Sequence, residues 1–125
     1  MSELPDHLLS NEKSAITACA NRLSEMLLDN LVGLWLFGSK SRGDFQPDSD
    51  IDLLIVVRQL QPEIRWRLRT IAADCSLQYD VIFNTHILHK ARWDDIVEHQ
   101  DTLWREIQRA GISLLESDRM LSAAD

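Results

Sequence analysis

Apolar residues follow two different spacings along the chain, and these spacings predict where helices and strands lie. Residues 10–30 carry an apolar stripe at helical spacing, and a second such stripe begins at Pro62, a residue that fits the first position of a helix. Leu31–Phe37 is a short apolar run, and Ile51–Val57 is apolar on both faces beyond its first residues. They are therefore predicted as buried strands, covered by helices.

The rest of the pattern adds shorter elements. Residues 39–43 are predicted as a helical turn, 79–84 as a third strand, and 112–115 as a short last strand. Residues 88–99 and 101–110 are predicted as helices, with Trp93, Ile96 and Val97 facing inward in the first of them. This order predicts an α/β fold of the α+β kind, in which a small mixed sheet is flanked by helices. The chain has 125 residues, and residues 1–125 are expected to form a single domain.

Composition and charge narrow the class of protein. The formal net charge of −7 argues against a protein that holds a nucleic-acid duplex through many phosphate contacts. Cys19 and Cys75 both fall on apolar helix faces, where they are expected as buried thiols in a reducing compartment. The first residues do not resemble a signal peptide, and the apolar runs are too short to span a membrane. We therefore expect a cytoplasmic protein.

Two aspartates stand where the second strand begins. Because side chains alternate along a strand, Asp50 and Asp52 are expected to point the same way, about 7 Å apart. Two like charges beside an apolar sheet are unfavourable unless a cation lies between them, and Mg²⁺ with bound phosphates is a common partner for such carboxylates. The pair is also compatible with two exposed loop carboxylates. Asp44 and Asp48, nearby, are interpreted as loop formers.

A glycine and a serine follow the first strand. Gly38 allows the backbone to approach a ligand, Ser39 offers a hydroxyl, and the N–H groups that open a helical turn favour an anion such as phosphate. A tight corner with no ligand would show the same two residues. Arg42 could neutralise a phosphate or could pair with Asp44.

Taken together, the segments GSKSRGD (residues 38–44) and SDIDLL (residues 49–54) resemble the signature of the DNA polymerase β nucleotidyltransferase superfamily. The similarity is to its minimal nucleotidyltransferases (MNT), in particular the antitoxins of HEPN/MNT toxin–antitoxin pairs, and it covers residues 31–116. It implies the polymerase β-like palm fold. It also implies a third carboxylate on a later strand, which would be Asp80 in the segment YDVIF.

The resemblance implies an activity, a cofactor and a partner. AMP would pass from ATP to a tyrosine of an all-helical HEPN ribonuclease toxin, which would thereby be neutralised. Asp50 and Asp52 would hold two Mg²⁺ ions, Asp80 would ligate the second, and Gly38, Ser39 and Arg42 would bind the nucleotide's phosphates.

Other interpretations remain at this point. An antitoxin that neutralises by binding alone would carry a degenerate site, and a small-molecule nucleotidyltransferase would act on aminoglycoside-like hydroxyls. Trp66 is predicted to be exposed opposite the apolar stripe of its helix, where it could serve an interface. His86 and His89 lack the companions of a zinc site.

Overall fold

The computed structural model describes residues 4–44 and 49–115, which form a four-stranded sheet with helices on both faces. Asp48, predicted to form part of a loop, lies outside the described residues. The helices are α1 (Ser10–Leu27), α2 (Ser39–Arg42), α3 (Pro62–Tyr79), α4 (Lys90–Glu98) and α5 (Thr102–Ala110). The strands are β1 (Leu31–Phe37), β2 (Ile51–Val57), β3 (Phe83–His89) and β4 (Ile112–Ser113), and a 3-10 turn, Leu28–Asn30, joins α1 to β1.

The sheet is mixed, as predicted. Its strand order is β3-β2-β1-β4, with β1 antiparallel to both β2 and β4 and with β2 parallel to β3. A parallel pair needs a long crossover connection, and α3 supplies it between β2 and β3. The register places Asp52 between Phe37 on β1 and Asn84 on β3, so these three side chains share one face of the sheet.

Each face of the sheet is covered by different helices. The first face, with Leu36, Leu53 and Ile55, packs against α1 and α3 in the larger apolar cluster. The second face carries Leu54 and Val56 and is covered by α4 and α5. Fully burying one such aliphatic side chain contributes about 1.5–3 kcal/mol, so these two clusters supply the main driving force for the fold. Asp52 lies on the second face, next to Phe37 of this cluster, and its side chain is 23% exposed.

Several predicted elements match the structure and two do not. β1 and β2 have the predicted bounds, Pro62 is the first residue of α3, and both cysteines are buried. The prediction of a third strand at residues 79–84 was wrong. α3 continues to Tyr79, Asp80 ends it in the left-handed conformation (φ 56°), and β3 begins only at Phe83. Val97 was also wrong, because it is 37% exposed while its neighbour Ile96 packs inward. Across the described ranges, no helix is long and apolar enough to cross a membrane.

Candidate active site

Asp52 is held on the second face of the sheet, at the start of β2. It is the second residue of β2, its side chain is 23% exposed, and β1 and β3 flank it on either side. Its neighbours along the strand, Ile51 and Leu53, are fully buried in the larger cluster. Because burial of these neighbours fixes which face Asp52 occupies, the carboxylate cannot turn away from the sheet end without a slip of the whole strand.

Asp50 lies immediately before β2. The Ile51 N–H donates to the Ile82 carbonyl at 2.8 Å, so the backbone is already in the parallel ladder at this point. Strand alternation therefore puts Asp50 on the same side as Asp52, and Asp50 is exposed to solvent. Two carboxylates at this sheet end create a local negative potential that favours a cation.

Gly38 packs directly against Asp52. Its φ of +75° lies in the region that favours glycine, and a Cβ built there would overlap Oδ2 of Asp52 and lie 3.1 Å from its Cγ. α2 begins at the next residue, Ser39, and the N–H groups of Ser41 and Arg42 donate to the Gly38 carbonyl. The turn of residues 38–43, here called the Gly38 turn, therefore packs directly against the Asp52 carboxylate.

The Gly38 turn is anchored by a buried ion pair that the sequence analysis missed. Lys40 is 1% exposed, and its Nζ lies 2.5 Å from Oε2 of Glu12, whose side chain is 6% exposed. The other oxygen of Glu12 accepts the Leu9 N–H at 2.8 Å, and Nε2 of His7 is hydrogen-bonded to the Lys40 carbonyl. These contacts join the start of α1 to α2. Lysine and glutamate are rarely buried, so no local pattern in the sequence predicted the pair.

Asn84 and His86 also contact Asp52, which the sequence did not indicate. Nδ2 of Asn84 donates to Oδ1 of Asp52 at 3.0 Å, and Nε2 of His86 lies 3.6 Å from the same oxygen. The His86 ring also makes an edge contact with Phe37, with ring centroids 5.0 Å apart. The predicted third strand, residues 79–84, did not include His86 and therefore gave no indication of this arrangement. With β3 at Phe83–His89, the even-numbered residues share the face of Asp52.

Arg42 is engaged with carboxylates on two elements. Its guanidinium donates to Asp44 at 3.2 Å and to Glu106 of α5 at 2.8 Å. Hydrogen bonds and charge from Asp44, followed by those from Glu106, raise the pKa of Arg42 above its usual value, so the group stays charged. The pairing with Asp44 that the sequence left open is therefore present. A phosphate would have to compete with two carboxylates for this side chain.

Asp80 is not brought to the carboxylate pair. It is exposed at the end of α3 and lines a hollow of about 230 Å³ together with Leu9, Glu12 and Ile51. Ile51 belongs to the first face of the sheet, whereas Asp52 belongs to the second. Asp80 follows α3 and precedes β3, and its predicted position inside the third strand was wrong.

The residues present fit one phosphate-bound Mg²⁺ ion better than two ions. Asp50 and Asp52 supply the one or two carboxylates that Mg²⁺ commonly takes from protein when phosphates supply further oxygens. Between residues 4–44 and 49–115, no group of three or more His, Cys, Asp or Glu side chains is placed to hold a metal ion together. The geometry thus offers a carboxylate pair beside the Gly38 turn, without a third carboxylate at β3.

Comparison with known proteins identifies the family. The model of the family described as "Nucleotidyltransferase domain" matches residues 16–108. A candidate protein adenylyltransferase of Methanocaldococcus jannaschii, MJ0141, is 36% identical over 69 residues, which make up 54% of this chain and 70% of that protein. A second candidate protein adenylyltransferase of the same organism, MJ0604, is 44% identical over 46 residues, or 37% of this chain and 46% of that protein.

Solved structures show the same fold. A chain from the crystal structure of a toxin–antitoxin with AMP-PNP has a TM-score of 0.53 and 22% identity, over 93% of this chain and 82% of that one. A candidate nucleotidyltransferase from Sulfolobus solfataricus has a TM-score of 0.52 and 15% identity, over 94% of both chains. The family predicted from residues 38–54 is confirmed: the chain belongs to the nucleotidyltransferase domain family and is a nucleotidyltransferase.

Proposed function

We propose that the chain is an antitoxin that transfers AMP from ATP to a tyrosine of a helical HEPN-type toxin and so neutralises it. The observation that carries the proposal is the direct packing of Gly38 against Asp52, which joins a turn suited to phosphate with carboxylates suited to Mg²⁺. Two relatives named as candidate protein adenylyltransferases support a protein acceptor. A structural neighbour from a toxin–antitoxin crystallised with AMP-PNP supports an adenine nucleotide and a toxin partner.

The residues of the Gly38 turn have the first role in the reaction. The backbone of Gly38 and Ser39 and the Ser39 hydroxyl bind the β- and γ-phosphates, where anionic oxygens meet N–H and O–H donors. Asp50 and Asp52 hold Mg²⁺, which would neutralise charge on the triphosphate and polarise its phosphoryl oxygens. Lys40 does not contact the nucleotide, because its ammonium group is buried against Glu12.

Transfer then exchanges one phosphorus–oxygen bond for another. The acceptor oxygen bonds to the α-phosphorus, and the bond from that phosphorus to the oxygen bridging to the β-phosphate breaks. Pyrophosphate leaves with the electron pair, and the hydroxyl proton passes to water. Charge builds on the leaving pyrophosphate, where the donors of the Gly38 turn stabilise it.

The acceptor reaches the site from outside the chain. Asp50 is exposed to solvent, so a partner surface can approach the carboxylate pair from outside the chain. A folded protein acceptor would bring its own hydroxyl and its own contacts to this exposed carboxylate.

The test combines the purified chain, Mg²⁺, ATP and a candidate HEPN-type toxin, with intact mass measured before and after incubation. We expect the toxin to gain one or more AMP groups on a tyrosine, and Asp50→Asn/Asp52→Asn to abolish the gain. Asp94→Asn is the matched control, because Asp94 is an exposed carboxylate paired with Lys90 on α4. If the double variant still neutralises the toxin in cells as fully as the wild type, neutralisation occurs by binding and the catalytic account is wrong.

A further inference from the structure

The part of β3 beside Asp52 carries two nitrogen-bearing side chains, Asn84 and His86, and no carboxylate. Asn84 donates from Nδ2 to Oδ1 of Asp52, and Nε2 of His86 faces the same oxygen. This His86 nitrogen is buried and has no hydrogen-bond partner within the described ranges. Two nitrogen-bearing groups on one strand therefore converge on a single carboxylate oxygen.

The other oxygen of Asp52 is also enclosed. Oδ2 lies against Gly38, in the space that a Cβ would fill, so the Gly38 turn covers it from the β1 side. Asp50 is exposed, so a cation can reach Asp52 from that side. The carboxylate is fixed in place before any ion arrives.

Among residues 4–44 and 49–115, no third carboxylate joins Asp50 and Asp52 to complete a second ion site. Asp44 and Glu106 pair with Arg42, and Asp80 lines a separate hollow with Leu9 and Glu12. Mg²⁺ requires near-octahedral oxygen ligands at about 2.0–2.1 Å. An amide N–H directed at Oδ1 occupies a lone pair of that oxygen and turns a positive dipole toward the place where a second ion would bind.

We infer, on the basis of the proposed function, that the site takes one divalent cation, held by Asp50, Asp52 and the triphosphate. Asn84 is a positioning residue that orients Asp52 and keeps a second cation out. The acceptor hydroxyl is then not ionised by a second metal, so its own acidity matters. A phenol, with a pKa of about 10, is a better acceptor under these conditions than a less acidic aliphatic hydroxyl.

Electron paramagnetic resonance of Mn²⁺ tests the ion count without any turnover. The purified chain is mixed with AMP-PNP, a non-hydrolysable ATP analogue, and with increasing Mn²⁺. We expect the wild type to bind one Mn²⁺ per nucleotide-loaded chain, with the spectrum of an isolated ion. Asn84→Asp should double the bound Mn²⁺ and give a coupled spectrum, because two ions in such sites lie about 3.5–4 Å apart.

Further variants make the outcome decisive. Asn84→Ala should keep one ion with weaker Mn²⁺ affinity, since Asp52 loses its orienting donor, and Asp80→Asn should leave the count at one. A spectrum of two coupled Mn²⁺ ions in the wild type overturns the inference, whether or not Asn84→Asp folds. If Asp80→Asn then removes that coupling, Asp80 is the ligand of the second ion. If Asp50→Asn/Asp52→Asn binds Mn²⁺ and nucleotide like the wild type, the proposed function itself fails, which is a separate result.

Discussion

Replacing Glu12 by glutamine tests whether the buried ion pair holds the Gly38 turn. The substitution keeps the size of the side chain and removes its negative charge. The Lys40 ammonium, 1% exposed in the wild type, then loses the carboxylate charge that lies 2.5 Å from it. Since Lys40 stands between Ser39 and Ser41, any movement of its backbone displaces the residues proposed to bind phosphate.

The expected magnitude follows from the cost of removing one partner of a buried ion pair. Removal of one partner from a buried pair costs about 3–5 kcal/mol, and the amide oxygen of glutamine still accepts a hydrogen bond, so about 3 kcal/mol is expected for Glu12→Gln. This is a large fraction of the roughly 5–15 kcal/mol that stabilises a typical domain. Glu12→Ala should cost more, because the Leu9 N–H also loses its acceptor.

Urea unfolding followed by circular dichroism measures the change in the free energy of unfolding. Glu25→Gln is the control, since Glu25 is an exposed glutamate on the same helix and should change stability by less than about 0.5 kcal/mol. The double variant Glu12→Leu/Lys40→Met should recover most of the loss, because well-packed apolar residues commonly replace a buried pair at little cost. A loss below about 1 kcal/mol for Glu12→Gln would refute the reasoning.

Three further predictions concern single positions. Gly38→Ala should abolish AMP transfer, because the added Cβ overlaps the Asp52 carboxylate and a positive φ costs about 1–3 kcal/mol. Circular dichroism should show that the variant is folded, and retention of half the activity would contradict the prediction. Burial raises the pKa of the Cys19 thiol above its ordinary value of 9.0, so the folded thiol stays protonated while the unfolded one ionises. The free energy of unfolding should therefore fall above pH 9 by up to about 1.4 kcal/mol per pH unit, and equal slopes for wild type and Cys19→Ala in urea titrations from pH 8 to 10 would exclude this cause. Trp66→Ala should change the free energy of unfolding by less than about 0.5 kcal/mol, since Trp66 is 67% exposed as predicted; a larger loss in the same titration would mean that its ring packs more than the structure shows.

The sequence by itself determined the central strands and the chemical character of the site. β1 and β2 are long apolar runs bounded by polar or turn residues, so a local pattern was enough to fix their ends. The two segments GSKSRGD and SDIDLL lie at the ends of these same strands, and the family they indicated is confirmed. A strand pair with short-range signals at its ends can thus be predicted without tertiary information.

The tertiary structure decided which residues meet at Asp52. The segment YDVIFN suits a strand as well as a helix end followed by a turn, and only the packing of α3 against α1 and the left-handed Asp80 place β3 at Phe83–His89. That register brings Asn84, rather than Asp80, opposite Asp52. Likewise, Glu12 meets Lys40 because α1 and the Gly38 turn pack together in space. Such contacts join residues far apart in the chain, and they depend on strand register and helix packing, which no local spacing of apolar residues encodes.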